Sequence, residues 1–285
     1  MRLTKRFFAF LLVFCLCLNS AIGQQYKLLS YLDIKVDSNG NLPRNPYIIN
    51  IKNHHKQLIV IGTQHTRDTL NPMFTGIENA FITLRPQVVI NEGPNLSKAY
   101  TSRSQAIATD GELGLEKFLA DEAGIKTITG DEPDKQEFEE LTAAFSEEEA
   151  FVFFASERFI FPFVFGQYKG TLENEYANNF IKGYLEKENI SITPKQKQLS
   201  YYKVAYRKYF HQDFNLHTID QHNFTPFGRS SHFNEVTRKS KELRDRYLLK
   251  QIAAQLKIHD RVLVIYGGWH VLAIEPTLSQ IMQLQ

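Results

Sequence analysis

Cysteine is nearly absent from this chain of 285 residues, and the absence excludes several kinds of chemistry. The two cysteines, Cys15 and Cys17, both lie within the first 23 residues. The rest of the chain therefore has no disulfide, no cysteine-ligated zinc site and no thiol nucleophile. A glycine-rich phosphate loop, a nucleophile elbow and a CxxC motif are also missing.

An excess of charge of one sign and long apolar runs are missing as well. Three of the 33 basic residues precede residue 23, so the remaining chain carries 30 basic against 31 acidic side chains. This balance gives no reason to expect nucleic acid as a partner. No apolar run approaches 18 residues after residue 23, so we expect no stable membrane anchor there.

Residues 1–23 have the pattern of a cleaved signal peptide. A basic start precedes an apolar run from Phe7 to Leu18, and Ala21-Ile22-Gly23 places small residues at the −3 and −1 positions of a cleavage site. Twelve residues form a helix of about 18 Å, which is too short for a bilayer core of roughly 30 Å. We therefore predict an exported protein, periplasmic or secreted, and regard a transmembrane anchor as the less favoured alternative.

Strand and helix patterns alternate along most of the remaining chain, which is typical of an α/β fold with a mostly parallel sheet. Residues 24–133 are predicted to form an N-terminal α/β half, and residues 234–285 a C-terminal half that completes the sheet. The similar ends of two strands, one in each half, suggest that the halves are related. The predicted elements are strands at 47–51, 58–61, 87–91, 125–129 and 262–266, and helices at 72–84, 113–124, 234–255 and 276–284.

Residues 134–233 differ from both halves, because they contain few strand patterns and a dense aromatic segment at 151–168. We interpret this region as a helical insertion packed over the sheet. Its aromatic side chains are either the core of a helical subdomain or the lining of a lid or an apolar substrate groove.

Two buried-strand patterns end in the same short motif. The run 58–61 leads into Gly62-Thr63-Gln64-His65, and the run 262–266 leads into Gly267-Gly268-Trp269-His270. Ligand-binding groups gather at the carboxyl edge of a parallel sheet, so His65 and His270 are predicted to share a site. A neutral imidazole binds a divalent metal or acts as a general base near neutral pH.

Two acids and one arginine are the other candidates. Glu92 and Glu132 each follow a buried strand and precede a sharp turn, in Glu92-Gly93-Pro94 and Glu132-Pro133. Alternation of side chains predicts that their neighbours Asn91 and Asp131 point elsewhere. Arg244 lies four residues before the apolar Leu248 on a predicted helix, so it is either a surface ion pair or a buried cation that requires an anionic partner.

Taken in order, these motifs resemble the TraB/TIKI superfamily, which also includes erythromycin esterase-like and ChaN-like proteins. The resemblance covers about residues 58–285 and is carried by two GxxH motifs, a strand-end Glu and an Arg-Asp helix. It implies an α/β fold of two related halves with a shared cleft, and activity as a divalent-metal-dependent protease or as an esterase that activates water with His and Glu. It also implies that His65, Glu92, His270, Arg244 and Glu132 occupy functional positions.

The leading hypothesis is an exported hydrolase that cleaves a peptide or small-molecule ester. His65, Glu92 and His270 would activate water, either directly or through a divalent ion of the Mn, Co or Zn type. Glu132 would support that site, and Arg244 would bind an anionic substrate group or an oxyanion. The alternatives are a metal-free esterase, a haem- or metal-binding protein, and a scaffold without turnover.

Overall fold

The computed structural model describes residues 26–35 and 42–285. The predicted signal peptide, residues 1–23, lies outside the described residues. Within the described ranges, no helix is both long enough and apolar enough to cross a membrane.

The described residues form an α/β structure, as predicted, with one five-stranded mixed sheet. The elements in chain order are β1 (Tyr47–Asn53), β2 (Lys56–Thr63), α1 (Pro72–Leu84), β3 (Val88–Asn91), α2 (Arg103–Glu122), β4 (Lys126–Thr129), α3 (Asp134–Ala144), α4 (Glu147–Ala155), a π-helix (Ser156–Ile160), α5 (Phe161–Val164), α6 (Leu172–Glu175), a second π-helix (Tyr176–Leu185), α7 (Leu199–Phe210), a 3₁₀ turn (Gln221–Phe224), α8 (His232–Ile258), β5 (Arg261–Gly267) and α9 (Gly268–Gln283).

The strands are ordered β1-β2-β5-β3-β4, so the last strand of the chain lies at the centre of the sheet. β1 and β2 form an antiparallel hairpin, whereas the pairs β2–β5, β5–β3 and β3–β4 are parallel. The register places Thr63 of β2 beside Gly267 of β5, and Asn91 of β3 beside Ile265 of β5. The residues that follow β2, β3 and β5 therefore emerge at one edge of the sheet.

Helices cover both faces of the central strands, which explains why those strands are apolar on both sides. Val60 and Val264 face α8 and α9, in a cluster with Ile252 and Ile274. Their neighbours along the strands face the opposite way, toward α1 and α2, in a second cluster. The two clusters together bury nearly the whole length of β2 and β5.

The aromatic segment at 151–168 is mainly the core of the helical insertion. Phe151, Phe154 and Phe159 are fully buried, and they pack edge-on, tilted or stacked against rings from the second π-helix and α7. Phe165, at the end of α5, is the exposed exception at 64%. Of the two interpretations of this segment, the packing supports a subdomain core.

Helix α8 joins the insertion to the sheet. Its 27 residues extend about 40 Å. Phe233 and Val236 near its start pack in the aromatic core, whereas Leu249 and Ile252 pack on the sheet. Residues 241–245, in the middle of the helix, therefore lie where the insertion meets the carboxyl edge of the strands.

Two helix boundaries differ from the prediction in ways that matter for the site. The last helix was predicted to begin at Pro276, a residue favoured in the first turn of helices. It begins at Gly268 instead, directly after β5, so His270 lies in the first helical turn. Helix α2 begins at Arg103 and is kinked at Asp110 and Gly111, whose backbone angles are not helical.

Candidate active site

The two GxxH motifs reach the same cleft, as predicted. The cleft has two parts, which we call the aromatic lobe and the charged lobe. The aromatic lobe, about 490 Å³, is lined by Tyr31, Leu42, Thr63, Gln64, His65, Glu92, Lys241, Gly267, Gly268, Trp269 and His270. The charged lobe, about 800 Å³, is lined by His65, Thr66, Arg67, Glu92, Gly93, Asp110, Gly111, Glu112, Leu113, Asp131, Arg158, Lys241 and Arg244. His65, Glu92 and Lys241 line both lobes and mark their junction.

His270 is held by a buried aspartate and a buried tyrosine. Its Nδ1 lies 2.6 Å from Oδ1 of Asp245, and the hydroxyl of Tyr31 donates to Oδ2 of the same carboxylate at 3.0 Å. The Tyr31 hydroxyl is also 3.0 Å from Nδ1. These contacts occupy Nδ1 of His270. The other ring nitrogen, Nε2, belongs to a side chain that lines the aromatic lobe.

Burial controls the charge of this pair. Burial, with added repulsion from Arg244 and Lys241, lowers the pKa of His270 well below its usual range, so the imidazole is neutral at pH 7. Burial also raises the pKa of Asp245 well above its usual range, and the Tyr31 hydroxyl, Arg244 and Lys241 offset only part of this rise. A neutral imidazole oriented by a buried acid is the arrangement that general bases in hydrolases use.

His65 is in the opposite state. Its Nδ1 contacts Oε1 of Glu112, and this hydrogen bond raises the pKa of His65 to about 9; burial opposes the shift and the charge of Glu92 adds to it. His65 is therefore protonated at neutral pH. The cleft thus combines one neutral and one protonated imidazole, an arrangement typical of acid–base chemistry.

The kink in α2 brings Glu112 to His65. Gly111 has a φ of +60°, and a Cβ there would lie 2.6 Å from the carbonyl oxygen of Thr66. Only glycine fits this close approach between α2 and the segment after β2. The approach places residue 112 beside residue 65.

A buried ion network holds the strand ends together. Arg244 donates from Nη2 to Oε1 of Glu92 at 2.9 Å and to Oδ1 of Asp131 at 2.6 Å. The other Glu92 oxygen accepts from the backbone N–H of Gly267 at 2.6 Å, and the other Asp131 oxygen accepts from the N–H of Gly93 at 2.8 Å. Arg244 is 6% exposed, so the structure places it as a buried cation with carboxylate partners.

The placement predicted for Glu132 requires a correction. Its Oε1 accepts from Gln136 at 2.7 Å, and the residue does not line either lobe. Burial and the neighbouring Glu140 and Glu137 raise the pKa of Glu132 to about 7. Asp131, predicted to point away, is the acid that joins the site. β4 ends at Thr129, so the alternation of strand side chains does not extend to these positions.

Four further residues of the site had no role predicted from the sequence: Tyr31, Glu112 and Lys241, which line the cleft, and Asp245, which lies behind His270. Asp245 and Lys241 lie on α8 in line with Arg244 and Leu248, because spacings of three and four residues share one helix face. Polar residues continuing an apolar helix face are a signal that would have identified both. Tyr31 and Glu112 had no such signal, since each reaches the cleft only through tertiary packing.

The predicted metal ligands His65, Glu92 and His270 all line the cleft, but their surroundings fit a cation poorly. Both Glu92 oxygens are already engaged by Arg244 and by a backbone N–H, and His65 is protonated. Among residues 26–35 and 42–285, no group of three or more His, Asp or Glu side chains is placed to hold a metal ion. The fixed positive charges at this junction favour an anionic ligand.

A scan against protein-family models and searches of curated proteins and of solved structures found no match to this chain. The resemblance to the TraB/TIKI superfamily therefore stays a prediction carried by the motifs.

Proposed function

We propose that this protein is an exported hydrolase that cleaves an ester or a related acyl bond with water activated by His270. The observation that carries the proposal is the pairing of His270 with Asp245 and Tyr31, opposite the protonated His65 in the same cleft. Of the routes considered, water activated without a metal ion agrees best with these contacts.

Asp245 and His270 share one proton across their contact, and the proposed reaction needs that proton on Nδ1 of His270, so that Asp245 is ionised and Nε2 has a free lone pair. The Tyr31 hydroxyl and the charges of Arg244 and Lys241 favour this form, whereas the burial of Asp245 opposes it. Nε2 removes a proton from water, and the water oxygen attacks the carbonyl carbon. The negative charge that develops on the carbonyl oxygen lies beside the protonated His65. Collapse of the tetrahedral intermediate breaks the carbon–oxygen bond, and the proton on His270 passes to the leaving alkoxide.

Glu92 and Arg244 have positioning roles in this proposal. Glu92 accepts from the N–H of Gly267, which fixes the start of α9 and therefore His270. Arg244 holds Glu92 and Asp131, and its guanidinium is engaged by them. Anion binding by Arg244, the role expected from the sequence, is therefore not part of the proposal. Glu132 has no part in it either.

We also infer that the fold consists of two related β-α halves with a mostly parallel sheet. Neighbouring parallel strands β2 and β5 both end in GxxH, which supports this view. The resemblance to erythromycin esterase-like proteins supports the same arrangement.

A test uses the chain from residue 24 with 4-nitrophenyl esters of increasing acyl length and with a peptide panel. We expect ester hydrolysis above background and a loss of about 10²–10⁴-fold in kcat for His270→Ala, the range that general-base catalysis contributes. His217→Ala, an exposed histidine in a loop, is the matched control and should retain full activity. Equal activity in His270→Ala and the wild type would refute the proposal.

Two further measurements separate this proposal from its alternatives. Activity that survives EDTA supports metal-free chemistry, whereas loss with EDTA and recovery with Mn²⁺, Co²⁺ or Zn²⁺ would favour the metal-dependent route. A Soret band on titration with haem, together with no hydrolysis, would favour a haem-binding protein. Nitrogen-15 NMR reports the tautomer of His270, and a proton on Nε2 would contradict its role as the base.

A further inference from the structure

Lys241 is a cation at the junction of the two lobes that the proposed reaction does not use. It is half-buried and lines both lobes. Among the described residues, no carboxylate oxygen lies within 4.0 Å of its ammonium; Glu157 and Glu92 act on it only from a greater distance. Burial and repulsion from Arg244 lower the pKa of Lys241. A partly desolvated ammonium without a close counterion is costly unless an anion binds it.

The carboxylates of the charged lobe are not available to neutralise Lys241. Asp131 and Glu92 are paired with Arg244, and Glu112 is paired with His65. Asp110 is 2.5 Å from Lys98.

Arg67 is a second cation that lines the charged lobe. It is exposed, and none of the ion pairs within 4.0 Å among the described residues includes it. Its charge acts on Asp110, which is already paired with Lys98. Arg158, by comparison, is paired with Asp134 and Glu137 at 3.3 and 3.0 Å. The charge left without a close partner in the lobe is therefore positive.

The aromatic lobe has a different character. Leu42 and Tyr31 form part of its wall, and Trp269 packs edge-on against Phe227 at 4.7 Å between ring centroids. Trp269 is 38% exposed, so the wall opens to solvent beside His270. Such a wall binds an apolar group.

We propose that the substrate is an amphiphilic ester, with an anionic carboxylate or phosphate group bound by Lys241 and Arg67 and an apolar group bound in the aromatic lobe. This proposal rests on the proposed function, because it places the scissile bond at the junction, between His270 and His65. Specificity would then come from charge on one side of the bond and apolar contact on the other.

Binding of small molecules that cannot be hydrolysed at an ester bond tests this proposal independently of turnover. Isothermal titration calorimetry would compare octanoate and octylphosphonate with the neutral octanamide. We expect at least one anion to bind about tenfold or more tightly than octanamide, which corresponds to about 1.4 kcal/mol. The anion that binds more tightly shows whether the site prefers a carboxylate or a phosphate-like group. The preference should decrease with added salt, because the contacts are electrostatic.

Substitutions then locate the anion site. Lys241→Met and Arg67→Gln should each reduce the preference, and Lys241→Arg should retain it. Lys239→Met is the matched control: Lys239 lies on the same helix, pairs with Glu242 and does not line either lobe. Equal affinity for octanamide and both anions in the wild type would overturn the proposal. An unchanged preference in folded Lys241→Met would also overturn it, and Arg67→Gln decides the question if Lys241→Met does not fold.

Discussion

Removal of the Arg244 guanidinium is the most demanding test of the ion network. Arg244→Met retains most of the aliphatic volume but leaves the carboxylates of Glu92 and Asp131 without their cation. Breaking a buried ion pair from one side costs about 3–5 kcal/mol, because the remaining charge is desolvated without compensation. The side chains of Glu92 and Asp131 are 18% and 24% exposed and keep their backbone donors. We therefore expect Arg244→Met to lower the free energy of unfolding by about 3 kcal/mol, the lower end of that range.

The free energy of unfolding is measured by urea denaturation at pH 7. Arg246→Met is a matched control two residues along the same helix, where the arginine side chain is 30% exposed and pairs with Glu242 at 2.8 Å. A pair of this kind contributes about 0–1 kcal/mol. Adding Glu92→Gln and Asp131→Asn to Arg244→Met should restore part of the lost stability, since the unpaired charges are then removed. Similar small losses in both arginine variants would refute the reasoning.

Two further predictions concern His65 and the start of α9. In Glu112→Gln, the pKa of His65 should fall from about 9 toward 6.5, as followed by proton NMR of the ring. A raised pKa stabilises the fold fully below pH 6.5 and loses that effect as the pH rises through 9, so the variant should lose this pH dependence of unfolding. With the His65 side chain 71% exposed, the effect is about 1 kcal/mol or less; an unchanged His65 pKa would contradict the assignment. In Gly267→Ala, the new Cβ would lie 2.7 Å from Oε2 of Glu92, and we expect about 1–3 kcal/mol of destabilisation and slower hydrolysis. Stability and activity equal to the wild type would show that Glu92 moves freely.

The elements of the fold were predictable from the sequence wherever a local pattern, such as a helix cap or a buried apolar run, specifies them. The predicted helix 72–84 is confirmed at both ends, because Asn71 caps it through its side chain and Pro72 occupies the first turn. The strand before each GxxH is confirmed, since a short β-branched run buried on both sides has few alternative structures. The start of α9 was missed because Pro276 indicates a helix start but fits within a helix whose earlier turns are already formed.

The placement of the candidate site was predictable in part. Both histidines follow parallel strands, and the geometry of a parallel sheet brings such residues to one edge whatever the rest of the chain does. The choice between Asp131 and Glu132 was not predictable, because both lie beyond the strand end and only the turn decides which carboxyl faces Arg244.

The amino-acid sequence by itself determined the α/β class and the meeting of residues 65 and 270 at one edge of the sheet, because periodicity and strand ends are local properties. Tertiary structure decided the chemistry of that edge. Tyr31 and Glu112 reach their histidines from distant parts of the chain. Burial makes the imidazole of His270 neutral, whereas the hydrogen bond to Glu112 keeps the imidazole of His65 charged. Charge states of this kind depend on desolvation and on neighbours in space, which no local pattern specifies.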